Sequence, residues 1–333
     1  SMYLARNNNL ESDQKILHVI PLNFNLDGIH GIKHPLGMHS RKLELVTNNV
    51  TIKKTSKDQI LKTFTSIELK PDAILSNSVS GSYSTITKEE KDHGVIVLDV
   101  GAGTTDISVF FQGTNIYNDV IPVGGNQFTN DLSMALDIPF SEAEKIKIKF
   151  GTVTPELLGK TEEISSLNNE GLTTEFTQRE IGQILKERAQ ELLRLAKLKL
   201  DNSPIQKIPI NRLVLSGGGS KLEGIQPLTK YIFQYYVRLG IPSDTSKIPD
   251  FLDKPELNSL IGIIKFFFNN NDLIEKEKKK NYINKNKLFA YPNFFKTNTF
   301  GKYQQLIKIE KLGKISSPIK NYIKKKTAIF NEN

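Results

Sequence analysis

The sequence predicts an α/β protein, and three observations carry the prediction. The apolar run VIVLDV, Val95–Val100, passes directly into a polar, glycine-rich loop, GAGTTD. A second apolar run, Leu213–Ser216, opens into Gly217-Gly218-Gly219-Ser220. Between the two, Thr177-Gln178-Arg179-Glu180 reads as a capping box ahead of an apolar stripe with helical spacing.

Val95–Val100 has the continuous apolar character of a strand covered on both faces, which puts Asp99 near its carboxyl end, where open α/β sheets hold ligands. Gly101 and Gly103 are expected to take positive φ and bring main-chain N–H groups against phosphate oxygens. Thr104 and Thr105 add hydroxyl donors. Asp99 and Asp106 carry negative charge beside such a phosphate, which makes chemical sense when a hard cation or its waters intervene. The loop therefore implies a magnesium nucleotide. The following residues, ISVFFQG, read as a second strand, so a plain β-hairpin with a glycine turn is the alternative.

Farther along, Gly124 and Gly125 form a second glycine pair. Ser141–Gly151, SEAEKIKIKFG, reads as a helix with Ser141 as N-cap and Glu142 and Glu144 in its first turn. Glu144 and Lys147 share one helical face, as a pair holding ribose hydroxyls or as a solvated salt bridge. The Gly217–Ser220 loop, a strand end opening before a helix, lets backbone approach a flat or anionic ligand; a flexible turn is the alternative there. The helix opened by Thr177 carries Ile181, Ile184, Leu185, Ala189, Leu192, Leu193, Ala196 and Leu200 as its apolar stripe. Arg179, Lys186, Arg188 and Arg194 lie off that stripe, as a face for an acidic peptide or as an ordinary solvated one.

At 333 residues the chain is long enough for two domains. It has no cysteine, which excludes disulfides and thiolate metal sites and fits a cytoplasmic protein. His30 and His34 flank Gly31 and Pro35 and read as structural rather than metal-binding. No Ser-His-Asp constellation and no general base stand out. No signal peptide or spanning helix is visible; the longest apolar run, Leu260–Phe268, is short and carries Lys265. The net charge of +9 is unevenly spread: Lys265–Asn333 holds 16 lysines and no arginine against five acidic residues, a net +11, which leaves −2 on residues 1–264. A basic appendage on a near-neutral body argues against nucleic acid and for an anionic surface. Asn269–Asn286 is Lys/Asn-rich and reads as a linker. Past it, Ile315, Ile319, Tyr322, Ile323 and Phe330 fall near one helical face, with Lys320, Lys324, Lys325 and Lys326 on much of the rest and Pro318 in the first turn. The segment Gly313–Phe330 suits a membrane interface, at about 1 kcal/mol per lysine near anionic lipid, and a disordered basic tail is the alternative.

The series LDVGAGTTDISVFFQG, VIPVGGNQFTNDLSMAL, SEAEKIKIKFG and VLSGGGSKLEGI resembles the nucleotide cleft of the actin, Hsp70 and sugar-kinase superfamily, and within it the FtsA family of bacterial cell division. Ile16–Leu45, ILHVIPLNFNLDGIHGIKHPLGMHSRKLEL, resembles the FtsA-type subdomain 1C. The resemblance implies an actin-like (ribonuclease H-like) two-lobed fold, amino-terminally incomplete, since the superfamily's first Asp-x-Gly-Thr hairpin has no counterpart here. It implies subdomain 1C over 1–70, a remnant of 1A over 71–94, 2A over 95–151 and 211–254, 2B over 152–210, a return to 1A over 255–268, a basic linker over 269–312 and a membrane helix over 313–333. It makes Asp99, Gly101, Gly103, Thr104 and Thr105 the second phosphate loop, with Asp99 near Mg2+ through water. Gly124 and Gly125 would lie beside the nucleotide, Glu144 and Lys147 would reach the ribose, and Gly217, Gly218, Gly219 and Ser220 would form the adenosine loop. Ala102 replaces the more usual glycine, and its methyl would crowd a phosphate at positive φ. The implied ligand is ATP with Mg2+, hydrolysed slowly if at all, and the implied partners are FtsZ, further copies of the chain in actin-like filaments, and an anionic membrane surface at the division septum. With 1A incomplete, Pro71–Thr87 and Leu257–Phe268 are expected to expose apolar faces. Three alternatives remain: a pilus-assembly protein of the PilM type, a sugar or acetate kinase of the same superfamily, and a chain that no longer binds nucleotide.

Overall fold

The computed structural model describes residues 12–71, 73–159, 162–242, 252 and 254–268. The opening segment 1–11, the linker and the Gly313–Phe330 helix lie outside the described residues. The chain begins with strands β1 (Gln14–Leu26), β2 (Ile29–Ile32) and β3 (Leu43–Lys53), an antiparallel sheet in the order β2-β1-β3 followed by helix α1 (Lys54–Ser66). Pro21 lies inside β1, where it cannot donate to a ladder, and the β1/β3 register slips between Pro21 and Asn23. His18 of β1 is buried, and its Nε2 accepts from the Ser76 N–H at 3.1 Å. Burial lowers His18 to about 4, so the ring is neutral and able to accept that bond, a structural role. Among the described residues no group of three or more His, Asp or Glu side chains could hold a metal ion.

Helices α2 (Asn77–Thr85) and α3 (Lys88–His93) lead into the central sheet. That sheet comprises β4 (Val95–Val100), β5 (Thr105–Phe111), β6 (Thr114–Ile121), β9 (Arg212–Ser216) and β10 (Tyr236–Leu239), in the order β10-β9-β4-β5-β6. β4 runs parallel to β9, and β9 to β10, whereas β4/β5 and β5/β6 are antiparallel hairpin pairs. Asn48 of β3 joins the first sheet to the β6 edge through Asn115, donating to its Oδ1 at 2.9 Å.

The two faces of β4 are both buried, as its sequence requires. Ile96, Leu98 and Val100 enter a large core with α4 (Gly125–Ala135), α5 (Phe140–Phe150), α6 (Gln178–Asp201) and α7 (Ile225–Phe233). Val95 and Val97 pack with Phe110, Val214 and Ile86 on the other face. α5 starts two residues earlier than predicted: Pro139, not Ser141, is its N-cap, and Ser141 sits within the first turn. The proline ring disfavours helix at Ile138, so the helix begins immediately after the ring.

α6 opens on the predicted capping box, Thr177 with Glu180, and buries Ile181, Leu185, Ala189, Leu192, Leu193, Ala196 and Leu200. A β7 (Glu163–Leu167)/β8 (Thr173–Thr177) hairpin precedes it. Leu192 is 1% exposed in this stripe. Leu192→Ala is expected to cost about 2–5 kcal/mol, read as a lower urea midpoint. The basic residues off the stripe have partners within the chain: Lys186 pairs with Glu156 at 3.0 Å, Arg188 Nη2 with Asp131 at 2.9 Å, and Arg179 donates to the Leu158 carbonyl.

Residues 258–268 form the last helix among the described residues, α8. Its outer side exposes Leu260, Ile263, Ile264 and Phe268, as expected for the carboxyl-terminal segment. α2 departs from that expectation: Ser78 to Ser82, Ser84 and Thr85 are buried, because a Ser/Gly-rich helix can lie close against the sheet and α8. Ser108 Oγ of β5 donates to the Ser78 carbonyl at 2.9 Å. No described helix is long and apolar enough to cross a membrane.

Candidate functional site

Three glycine segments meet at the carboxyl end of β4. Gly101 N–H donates to the Thr104 carbonyl at 2.9 Å and closes the loop on itself. Gly125 N–H then donates to Gly101 O at 2.9 Å, and Asn126 N–H to Ala102 O at 2.7 Å, locking the start of α4 onto the loop. Such contact requires a bare Gly124: a Cβ there would stand 2.6 Å from Gly101 O and 2.8 Å from Thr104 N. From the other side comes Gly217, at φ +79°, where a Cβ would stand 2.3 Å from Asp99 Oδ1 and 2.4 Å from Val100 O.

The expected positive φ at Gly101 and Gly103 is absent. The turn is made instead by the Gly101–Thr104 hydrogen bond, and left-handed backbone falls on Gly217. Ala102 likewise avoids positive φ.

Asp99 and Asp106 are directly opposite in the β4/β5 register, so the two carboxylates share one face. Neither has an ion-pair partner among the described residues. Burial pushes Asp99 up to about 6, and the Ser259 hydroxyl, 3.3 Å from Oδ2, opposes the rise. Burial and then the Asp99 charge push Asp106 up to about 6 as well. Two carboxylates held this way are poised for a cation or its hydration shell. Sequence reading placed charge at Asp106 but not its pairing with Asp99, which only the hairpin register reveals.

The hydroxyls divide. Thr104 is exposed beside the loop, whereas Thr105 is 1% exposed and donates to Val123 O at 2.8 Å. Ser220 also turns inward, donating to Gly217 O at 2.7 Å, so it shapes the glycine loop from behind. Gly218 and Gly103 have open surroundings. Gly219 presses on Val100, where a Cβ would stand 2.4 Å from Cγ1.

Glu144 and Lys147 form a close pair at 2.6 Å, and Lys147 Nζ also reaches Gly125 O at 2.9 Å and Thr129 Oγ1 at 2.7 Å. Burial raises Glu144 and the bonds from Lys147 and Thr129 outweigh it, holding the carboxyl below its usual range. The pair is therefore more than a solvated salt bridge: it fixes the first carbonyl of α4 beside the Gly101–Thr104 loop. Thr129, which is fully buried and bonded to Gly125 O, belongs to this cluster and had no signal in the sequence beyond its spacing from Gly125.

A family model described as Cell division protein FtsA matches residues 96–262, and one described as SHS2 domain inserted in FTSA matches residues 2–51. Cell division protein FtsA of Pseudomonas aeruginosa is 32% identical over 258 residues, 77% of this chain and 62% of the relative. That of Escherichia coli K12 is 28% identical over 273 residues, 80% of this chain and 65% of the relative. The chain thus spans less than two thirds of the length of these curated relatives. Among solved structures, MreB5 of Spiroplasma citri bound to ADP aligns with a TM-score of 0.50 at 19% identity, over 80% of this chain and 90% of that one. A PilM-PilN type IV pilus biogenesis complex aligns with a TM-score of 0.56 at 18% identity, over 78% and 68%. At such identities these likenesses speak for the fold alone, and the fold is actin-like. The first sheet and the glycine-lined site fall in separately matched segments of one family, which decides against the pilus-assembly and kinase alternatives: the chain belongs to the FtsA family of cell division proteins.

Proposed function

We propose that this chain is an actin-like ATP-binding membrane adaptor that anchors the FtsZ ring to the cytoplasmic membrane at the division septum and helps recruit later division proteins. The observation that carries the nucleotide part is the Asp99/Asp106 pair, unmatched by any described cation, beside interlocked glycine loops. The residues fit Mg-ATP. Asp99 and Asp106 would hold the cation through its waters, and the exposed Ala102–Thr104 backbone and Thr104 hydroxyl would face the phosphates. Gly217–Gly219 would carry the adenosine, with Glu144 and the Lys147 cluster at the ribose. The cation supplies charge neutralisation between phosphate and carboxylates. On this reading ATP serves as a conformational ligand with slow turnover. A nucleotide-bound neighbour of the same fold, MreB5 with ADP, supports this reading.

We assign the FtsZ contact to subdomain 2B over 152–210, membrane attachment to the basic tail over 313–333, and self-association to actin-like filaments. Subdomain 1C over 1–70 and the 1A segments 71–94 and 255–268 complete the assignment around 2A. Flotation tests the adaptor directly. FtsZ mixed with this chain, Mg-ATP and anionic vesicles is expected to float with the vesicles, and to stay behind when the chain is omitted or the vesicles are neutral. FtsZ that stays behind in the complete mixture overturns the adaptor reading.

A further inference from the structure

Two consecutive side chains of α8 reach the two glycine loops from one side of the sheet. Ser259 Oγ donates to Asp99 Oδ2 at 3.3 Å. Asn258 is 1% exposed, and its Nδ2 donates at 2.7 Å both to Ser216 Oγ, the residue before Gly217, and to the Gly240 carbonyl beyond β10. The Asn258 carbonyl accepts from Ser84 Oγ of α2 at 2.8 Å. Asp99 and Ser216 are register partners across the β4/β9 ladder, so neighbouring residues of one helix hold the neighbouring ends of two strands.

The approach of α8 is built in. A Cβ on Gly262 would stand 1.7 Å from Ser80 O, and one on Gly81 would stand 3.4 Å from Asp99 Oδ2 and 3.5 Å from Ser259 Oγ. Bare backbone at Gly262 is what lets α8 lie against α2 and brings Ser259 to the carboxylate. Asn258 also buries an Oδ1 with no hydrogen-bond partner among the described residues. An acceptor buried that way is a liability for stability alone, and its amide donors to Ser216 and Gly240 are what it provides in return.

We propose that Asn258 and Ser259 are positioning residues of the nucleotide cleft, Ser259 orienting Asp99 on the cation side and Asn258 fixing the root of the Gly217–Ser220 loop. The inference rests on reading the site as a nucleotide cleft, and a ligand-free measurement separates the two. Hydrogen exchange is followed on the full chain for wild type, Ser259→Ala, Ser259→Thr and Asn258→Ala. Ser259→Ala is expected to speed exchange at residues 101–104 and 124–126 by roughly two- to tenfold, the weight of one hydrogen bond, and Ser259→Thr to restore it. Asn258→Ala is expected to speed residues 217–220 and 239–241 instead. Unchanged exchange in both loops, or equal acceleration across the whole sheet with no rescue by threonine, overturns the proposal. With nucleotide, Ser259→Ala is expected to weaken Mg-ATP and leave ATP in EDTA unaffected, whereas Asn258→Ala weakens both alike; the reverse pattern overturns the assignment of roles. Local acceleration in the variants of a wild-type chain that binds neither form of ATP supports the positioning and overturns the nucleotide reading.

Discussion

Asp106→Asn is expected to make the ligand-free protein more stable at pH 7.5 while removing most of its affinity for Mg-ATP. Asp99 and Asp106 are raised from 3.8 to about 6 in the folded chain, chiefly by burial. A carboxylate with a raised folded pKa binds more protons folded than unfolded between those values, so its contribution to stability is greatest in acid and falls as pH rises through 4 to 6. Above pH 6 each charged carboxylate carries a penalty on the order of 2–3 kcal/mol, from about two pKa units at 1.36 kcal/mol each. Asparagine removes one charge and relieves Asp99 of its neighbour. Urea unfolding of wild type and variant without divalent cations should therefore show a gain of that order at pH 7.5 and little at pH 3.5. An equal gain at both pH values, or a loss at pH 7.5, would mean that the charge is already satisfied within the chain. The same pair then explains why a cation would bind: it offsets a cost the ligand-free fold carries.

Gly217→Ala should be the most damaging single-methyl change in the cleft. At φ +79° an alanine is strained by about 1–2 kcal/mol. Its Cβ would also meet Asp99 Oδ1 at 2.3 Å and Val100 O at 2.4 Å, one of them main chain in the central strand. Overpacking of this kind costs typically 1–3 kcal/mol more. We expect a total loss of about 2–5 kcal/mol in urea unfolding, together with loss of nucleotide binding because the Gly217 loop and Asp99 can no longer touch. Gly103→Ala is the control: Gly103 is at ordinary φ with nothing within 4 Å of a Cβ, so its stability should barely change. A Gly217→Ala protein as stable as wild type would show that the two loops are not packed as described.

The parts of this molecule that the sequence foretells are those whose cause is local. β4 reads as doubly buried because its residues are apolar on both faces, and the structure buries both. The α6 start is legible because Thr177 and Glu180 cap one turn by themselves. The α5 cap lies two residues before the serine that the sequence offers, because a serine is a strong generic cap while Pro139 constrains the backbone more firmly. Within the site, residue types show which side chains gather there but not how each one is turned. Thr104 and Thr105 are adjacent and alike in sequence, and only strand pairing decides that Thr105 turns to Val123 while Thr104 stays outside. Ser220, expected in the adenosine loop, turns its hydroxyl inward and braces that loop. Lys147 reads as one member of a helical pair, and its further bonds to Gly125 O and Thr129, 22 and 18 residues back, come from the preceding helix. Ser259 was beyond reach altogether, since it meets Asp99 across 160 residues of chain.

Calorimetric titration of Mg-ATP into the chain, with Asp99→Ala beside it, tests the central claim most directly. The account predicts saturable binding that depends on Mg2+ and disappears in Asp99→Ala while that variant stays folded. No heat from a folded wild-type chain, or equal binding in the variant, would contradict it.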